Sequence, residues 1–234
     1  MMLQVRNLTG GYTNNHNILQ GVSLDVSKGE VVGIIGLNGS GKSSFAKALM
    51  NILPYRQGEI LLKGEDISKK TTQELSDMGI ALFMQGGRVF EELSVWENLM
   101  IAAKKNEKKI DDIRKCFVSL RPNILKLKRM HADRLSGGER SQLALAMSVL
   151  KDPSLLILDE PSSGLSPIAV DEIYQSLNLL RQNDNLSIIL IEQNIARCIE
   201  FCRSISMLVD GKIIYSSENK NFAEIENRFF KFNK

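Results

Sequence analysis

The chain has 234 residues, 43% hydrophobic and 24% charged, which is ordinary for a soluble globular protein and enough to bury the core of one domain. Its formal charge of +3 is small and dispersed, so composition gives no argument for a nucleic-acid partner, which would need clustered Lys and Arg. No apolar run approaches the ~20 residues that span a bilayer, and the opening Met1–Arg6 lacks the pattern of a secretory signal, so any attachment to a membrane is expected through a partner.

In chain order, Leu3 to Leu8 alternates apolar and polar residues, as does Ser23 to Ser27. Both read as half-exposed, antiparallel strands. Val31-Val32-Gly33-Ile34-Ile35 reads as a strand buried on both faces. A helix is expected after it, with Phe45, Leu49 and Ile52 on one face and Pro54 closing it. Ile80 to Met84, Leu155 to Leu158 and Ile188 to Ile191 are further buried strands, and the helical patterns between several of them predict a parallel sheet covered by helices.

Between about Leu93 and Leu150 the strand signal is missing. Trp96, Leu99, Met100 and Ala103 form one helical stripe, and Ile110, Ile113, Phe117 and Leu120 another. The charged run Lys104–Lys109 between them reads as a solvated helix end or loop. Cys198 and Cys202, at i, i+4, read as half-buried thiols on a helix packing face; no cysteine spacing fits a zinc site, and reduced thiols suit a cytoplasmic protein. Asp210-Gly211 between two apolar runs is a hairpin signal. The tail from Glu218 carries Phe222, Phe229, Phe230 and Phe232 without a motif and is expected to pack on its own domain. The fold class is therefore α/β: one domain over 1–234, with a parallel core, an antiparallel β part and a helical subdomain over about 91–150.

Three elements carry chemistry. Gly36-Leu37-Asn38-Gly39-Ser40-Gly41-Lys42-Ser43 fits G-x-x-x-x-G-K-[ST] in the required place, between a buried strand and a helix. Its backbone N–H groups would wrap phosphate at a helix N-terminus, extending to Ser44. Lys42 would neutralise the β- and γ-phosphates of ATP, and the Ser43 hydroxyl would ligate Mg²⁺. The strand ending in Asp159-Glu160 supplies two carboxylates, Asp159 to hold Mg²⁺ and Glu160 to orient and deprotonate water. Leu135-Ser136-Gly137-Gly138-Glu139-Arg140 contains a capping box between Ser136 and Glu139. A plain capping box does not need Gly137 and Gly138, and these glycines open a second phosphate-binding surface for another molecule's nucleotide.

In this order and spacing the three elements resemble the nucleotide-binding subunit of ABC transporters, over about Leu3 to Tyr215. The resemblance implies a second ATPase subunit, identical or not, closing head-to-tail over two ATP molecules, with Ser136 and Gly138 touching the γ-phosphate held by the other chain. It further implies that Tyr12 stacks on adenine and that Gln85 contacts Mg²⁺ and water and couples to integral-membrane permease subunits. It also implies that Ser162-Ser163-Gly164-Leu165-Ser166 crosses the dimer interface, with Ser166 where Asp is common. Where the family usually presents a histidine, this chain has Gln193, which can donate a hydrogen bond but cannot become cationic; hydrolysis with Glu160 as base is expected to survive, at a lower rate.

Glu192-Gln193-Asn194, the segment from Ser162 to Pro167, and Gly87 to Leu99 are similar to the branched-chain amino-acid importer ATPases and their urea- and amide-importing relatives. That branch implies a site on the cytoplasmic face of the inner membrane and an indirect solute-binding protein, and no nucleic acid. Two readings compete. A soluble, non-transport ABC ATPase, such as a cofactor-assembly scaffold, is possible for a single short cassette, although a chromosome-type ATPase is disfavoured by the spacing of only about 95 residues between phosphate loop and signature. A regulatory module that binds without hydrolysing would not need Lys42, Ser43, Asp159 and Glu160 together.

Overall fold

The structure is a computed structural model that describes residues 1–103, 124–218 and 222–231. The stripe from Ile110 to Leu120, the Lys104–Lys109 run and Phe232 lie outside the described residues.

Six strands form the central sheet in the order β10-β9-β3-β8-β7-β6. β3 (Val31–Ile35), β6 (Ile80–Phe83), β7 (Leu155–Asp159), β8 (Ser187–Glu192) and β9 (Ser204–Val209) run parallel; β10 (Lys212–Ser217) returns antiparallel. The turn into β10 places Asp210 and Gly211 at φ 45° and 75°, the two left-handed residues of a twist-matched hairpin.

Every residue of β3, β7 and β8 is buried, which is why their sequences are unbroken apolar runs. Their side chains still alternate between two cores. Val32, Ile34, Leu155, Ile157, Ile189 and Ile191 face one cluster with Phe45 and Leu49; Val31, Ile35, Leu156, Leu158, Ile188 and Leu190 face another with Ile173, Leu177 and Phe201. The register sets Ile35 opposite Glu192 and Asp159 opposite Ile191. The carboxyl ends of the three strands thus lie side by side, the edge where open α/β sheets place their chemistry.

The first core is closed by an antiparallel sheet ordered β2-β1-β4-β5, built from β1 (Leu3–Gly11), β2 (Leu19–Val26), β4 (Tyr55–Leu62) and β5 (Glu65–Asp66). The expected helix α1 (Lys42–Leu49) forms, but Ile52 is not on it and is 42% exposed. Asn51 adopts φ 55° and donates from Nδ2 to the carbonyls of Ile67 (2.8 Å) and Lys70 (2.6 Å). That side chain turns the backbone toward β4 before Pro54 is reached. β4 itself carries mostly exposed residues in its first half and is held by pairing with β1, so its sequence has little strand signal.

Helix α2 (Thr72–Asp77) precedes β6. A third cluster joins α3 (Val95–Ala102), the 3-10 turns Ile124–Leu127 and Ala132–Arg134, and α4 (Gly137–Val149) through Val95, Leu99, Leu135, Leu143 and Leu150. Helices α5 (Pro167–Leu180), α6 (Ile195–Phe201) and α7 (Phe222–Lys231) cover the second core. Ile225 and Phe229 of α7 are buried there. Cys198 and Cys202 are fully buried rather than half-buried, with sulfurs 3.7 Å apart. A Cβ on Gly33 would come within 2.4 Å of Cys198 Sγ, so the glycine lets α6 lie close on β3. Among the described residues, no helix is long and apolar enough to cross a membrane.

Candidate functional site

The loop from Gly36 to Ser43 leaves β3 and enters α1 through Gly39 at φ 83° and Gly41 at φ 103°, the helix N-cap. A side chain at Gly36 would meet Leu208 O and Ser40 Oγ at 2.5 Å, so the chain can only turn here without one. No acidic residue stands in the first turn of α1, which leaves the helix N-terminus favourable to an anion.

Lys42 lies inside the loop, 4% exposed. Its Nζ donates to the carbonyls of Gly36 and Leu37, each at 2.9 Å, and pairs with Glu160 Oε1 at 3.0 Å. A buried cation is tolerated only with such partners. Ser43 Oγ donates to Asp159 Oδ1 at 3.0 Å. Burial raises the Asp159 carboxyl above its ordinary value; the Ser43 hydrogen bond opposes this, and the charge of Glu160 adds to it.

Glu160 is where three loops meet. It sits at φ 48°, strained for a residue with a side chain, and its N–H donates to Ile191 O at 2.9 Å. Oε1 receives Lys42 and Gln193 Nε2 (2.8 Å), and Oε2 receives Gln85 Nε2 (2.8 Å). Gln193 also donates to Asn38 Oδ1 at 2.7 Å, and Gln85 reaches Ser163 Oγ at 3.3 Å. Residues 38, 42, 85, 160 and 193, distant in sequence, therefore form one hydrogen-bonded group. Next to it, Ser43 and Asp159 offer two adjacent hard oxygens, a donor pair suited to Mg²⁺.

Tyr12 is 47% exposed, and its hydroxyl accepts from Lys47 Nζ on α1 at 2.9 Å. Burial raises its pKa, but hydrogen bonds with Lys47 and Ser44 outweigh that and leave it below the ordinary phenol value. The Lys47 ammonium also lies 5.2 Å from the centroid of the ring.

The Ser136 segment is organised differently. Ser136 caps α4, accepting from Glu139 N, while its own N and Oγ donate to Glu139 Oε2 at 2.9 and 2.7 Å. Arg140 pairs with Glu91 at 3.1 Å. A Cβ on Gly138 would lie 2.8 Å from Ala169 Cβ on α5, whereas one on Gly137 would meet only Leu165 Cδ2 at 3.6 Å. Gly138 thus also has a packing reason to be glycine, beside the phosphate role expected of both glycines. Ser136 and Gly137 are exposed, and the contacts of this segment run to Glu139, Leu165 and Ala169, not to Lys42 or Glu160. Ser166 caps α5 by accepting from Ala169 N.

Two residues are more important than the sequence reading made them. Asn98, fully buried, bonds Phe90 N, Phe90 O and Leu93 O and shapes the loop before α3. Glu192 binds Ser162 across 30 residues of sequence; a charged residue closing an apolar strand was the available signal.

Residues 19–163 match the family model described as "ABC transporter". The probable branched-chain amino acid transport ATP-binding protein LivF of Archaeoglobus fulgidus is 33% identical over 226 residues, covering 96% of this chain and 95% of that protein. The lipopolysaccharide export system ATP-binding protein LptB of Haemophilus influenzae is 30% identical over 221 residues, covering 91% and 89%. A solved nucleotide-free ATP-binding cassette from an ABC transporter has the same fold, with a TM-score of 0.86 at 22% identity, covering 100% of this chain and 98% of the other.

Proposed function

We propose, from the premise that this chain belongs to the ABC transporter family and is the ATP-hydrolysing subunit of a transporter, that it drives an importer of the branched-chain amino-acid type. The observation that carries its role as motor is the convergence of Lys42, Gln85 and Gln193 on the Glu160 carboxylate. Lys42 exchanges Glu160 for phosphate oxygens when ATP enters the loop. Glu160, still oriented by the two glutamine amides, then accepts the proton of the attacking water. Ser43 and Asp159 hold Mg²⁺, which supplies charge neutralisation at the phosphates. Gly36, Asn38, Gly39, Ser40, Gly41 and Ser44 cradle the phosphates, and Tyr12 stacks on the base.

Gln193 gives the scissile phosphate a neutral donor in place of a cation, so turnover is modest. Ser136, Gly137 and Gly138 face the nucleotide of a second ATPase subunit. The chain acts as a single domain, peripheral on the cytoplasmic face of the inner membrane, with permease subunits and, through them, a solute-binding protein. The import reading is supported by the LivF relative and the Glu192-Gln193-Asn194 sequence. The LptB relative favours a second reading, lipopolysaccharide export.

The test is purification of a tagged Glu160→Gln form with ATP from native membranes. Recovery of polytopic permeases, a second ATPase and an amino-acid-binding protein supports import. Recovery of lipid-export components replaces that reading, and recovery of soluble proteins alone removes the transport role.

A further inference from the structure

The last residue of β8, Glu192, is 3% exposed. Its Oε1 accepts from Ser162 Oγ at 2.7 Å and from Ser162 N at 3.3 Å, and its Oε2 accepts from Gln193 N at 3.1 Å. Among the described residues, no Lys or Arg forms an ion pair with it. Its charge is felt nearby: burial first, and then Glu192, push the Tyr174 phenol above its ordinary pKa.

A buried carboxylate without a cation is a poor way to stabilise the end of a sheet, because its desolvation cost is met only by neutral donors. It is a good way to fix two loops relative to one another. Two donors come from Ser162 in the segment that follows Glu160 and one from the segment that carries Gln193, and the Tyr174 hydroxyl of α5 faces the same carboxylate. Gln193 in turn donates to Glu160, so the two loops and the carboxylate close a ring: Glu160 to Ser162 along the chain, Ser162 to Glu192, Glu192 to Gln193, Gln193 back to Glu160. A shift of either loop by a fraction of an ångström is felt at the Glu160–Gln193 contact.

We propose that Glu192 is a positioning residue for ATP hydrolysis, holding the Ser162 loop and the Gln193 backbone in the register that aims Glu160. The inference rests on the reading of Glu160 as the group that activates water. Glu192 does not touch nucleotide in this scheme; it acts through Gln193 and the Ser162 loop.

Replacing Glu192 by Gln keeps the shape but leaves one amide nitrogen facing a donor, so one of the two loops loses its anchor. The experiment is steady-state ATPase kinetics of the full chain for Glu192→Gln, Ser162→Ala and the double variant, alongside wild type and Glu160→Gln. The expected result is a fall in kcat of about tenfold or more for each single variant, since small misplacements of a reacting group are costly, with KM for ATP within about twofold of wild type. The double variant should be no slower than the slower single variant, because both changes break the same link. Multiplicative losses, unchanged kcat, or a rise in KM that accounts for the whole effect would overturn the proposal. Ser162 is on a half-exposed loop, so its variant tests the link even if Glu192→Gln folds poorly. Wild-type turnover that survives Glu160→Gln would instead remove the reading of Glu160 on which the proposal depends.

Discussion

The edge of the central sheet and the start of α4 both set glycines at the N-terminus of a helix, yet they are finished in opposite ways. At the sheet edge, Lys42 and Glu160 are buried and bonded to each other, and the amides of Gln85 and Gln193 close around Glu160. At α4, Ser136 and Glu139 satisfy each other in a capping box, and Ser136 and Gly137 stay exposed. The first region is complete within the chain. The second is satisfied locally by its own cap and leaves an exposed surface. A helix start that caps itself can stay exposed without strain, which a buried, unpaired Lys42 could not.

The sheet edge is most sensitive at Glu160. Glu160→Gln is expected to lower ATP turnover about 10²–10⁴-fold while ATP binding is kept; phosphate release and equilibrium binding on the same preparation measure both. Retained turnover would mean that the closed group around residue 160 is structural.

The other region is sharpened by its two glycines. Gly138→Val forces atoms into Ala169 and should cost about 1–3 kcal/mol, read as a lower Tm. Gly137→Ala has room and should leave stability within about 0.5 kcal/mol of wild type, yet it should reduce turnover several-fold if its exposed face meets a second subunit's nucleotide. Equal effects of the two on Tm, with turnover unchanged for Gly137→Ala, would reduce the segment to a helix cap.

A smaller effect is expected at Gln193. Gln193→His should raise kcat several-fold by placing a group able to carry charge beside Glu160, and loss of activity would count against the neutral-donor account. Smallest is the cap of α3. Hydrogen bonds with the Ser94 side chain and backbone hold Glu97 below its ordinary pKa. The sign follows: the stabilisation is present above the ordinary carboxylate value and lost as pH falls through the lowered one. Glu97→Gln should therefore lower Tm slightly at pH 7, with the difference from wild type vanishing in acid thermal melts.

Much of this molecule is legible from residue order alone. Continuous apolar runs announce strands buried on both faces, and they form as β3, β7 and β8 because nothing polar interrupts them. The phosphate loop is readable because glycine spacing, lysine and serine must be contiguous to wrap one anion. The hairpin at Asp210-Gly211 is likewise local chemistry. β4 is not legible, since half its residues face solvent and pairing with β1 supplies its reason to be extended. Neither is the end of α1, where Asn51 finds carbonyls from residues 67 and 70.

Site residues divide the same way. Residue order was enough to say which groups this chain owns: a lysine and serine on a phosphate loop, two acids at a strand tip, a capping box with glycines, and glutamines in two later loops. It took the folded chain to bring Gln85 and Gln193 to the two carboxylate oxygens of Glu160, to tie Gln193 to Ser162 through Glu192, and to set Gly138 against Ala169. The reason is physical. Local motifs are fixed by backbone geometry within a few residues, whereas these contacts join positions 30 to 75 apart in the chain and exist only once parallel strands have set their ends in register.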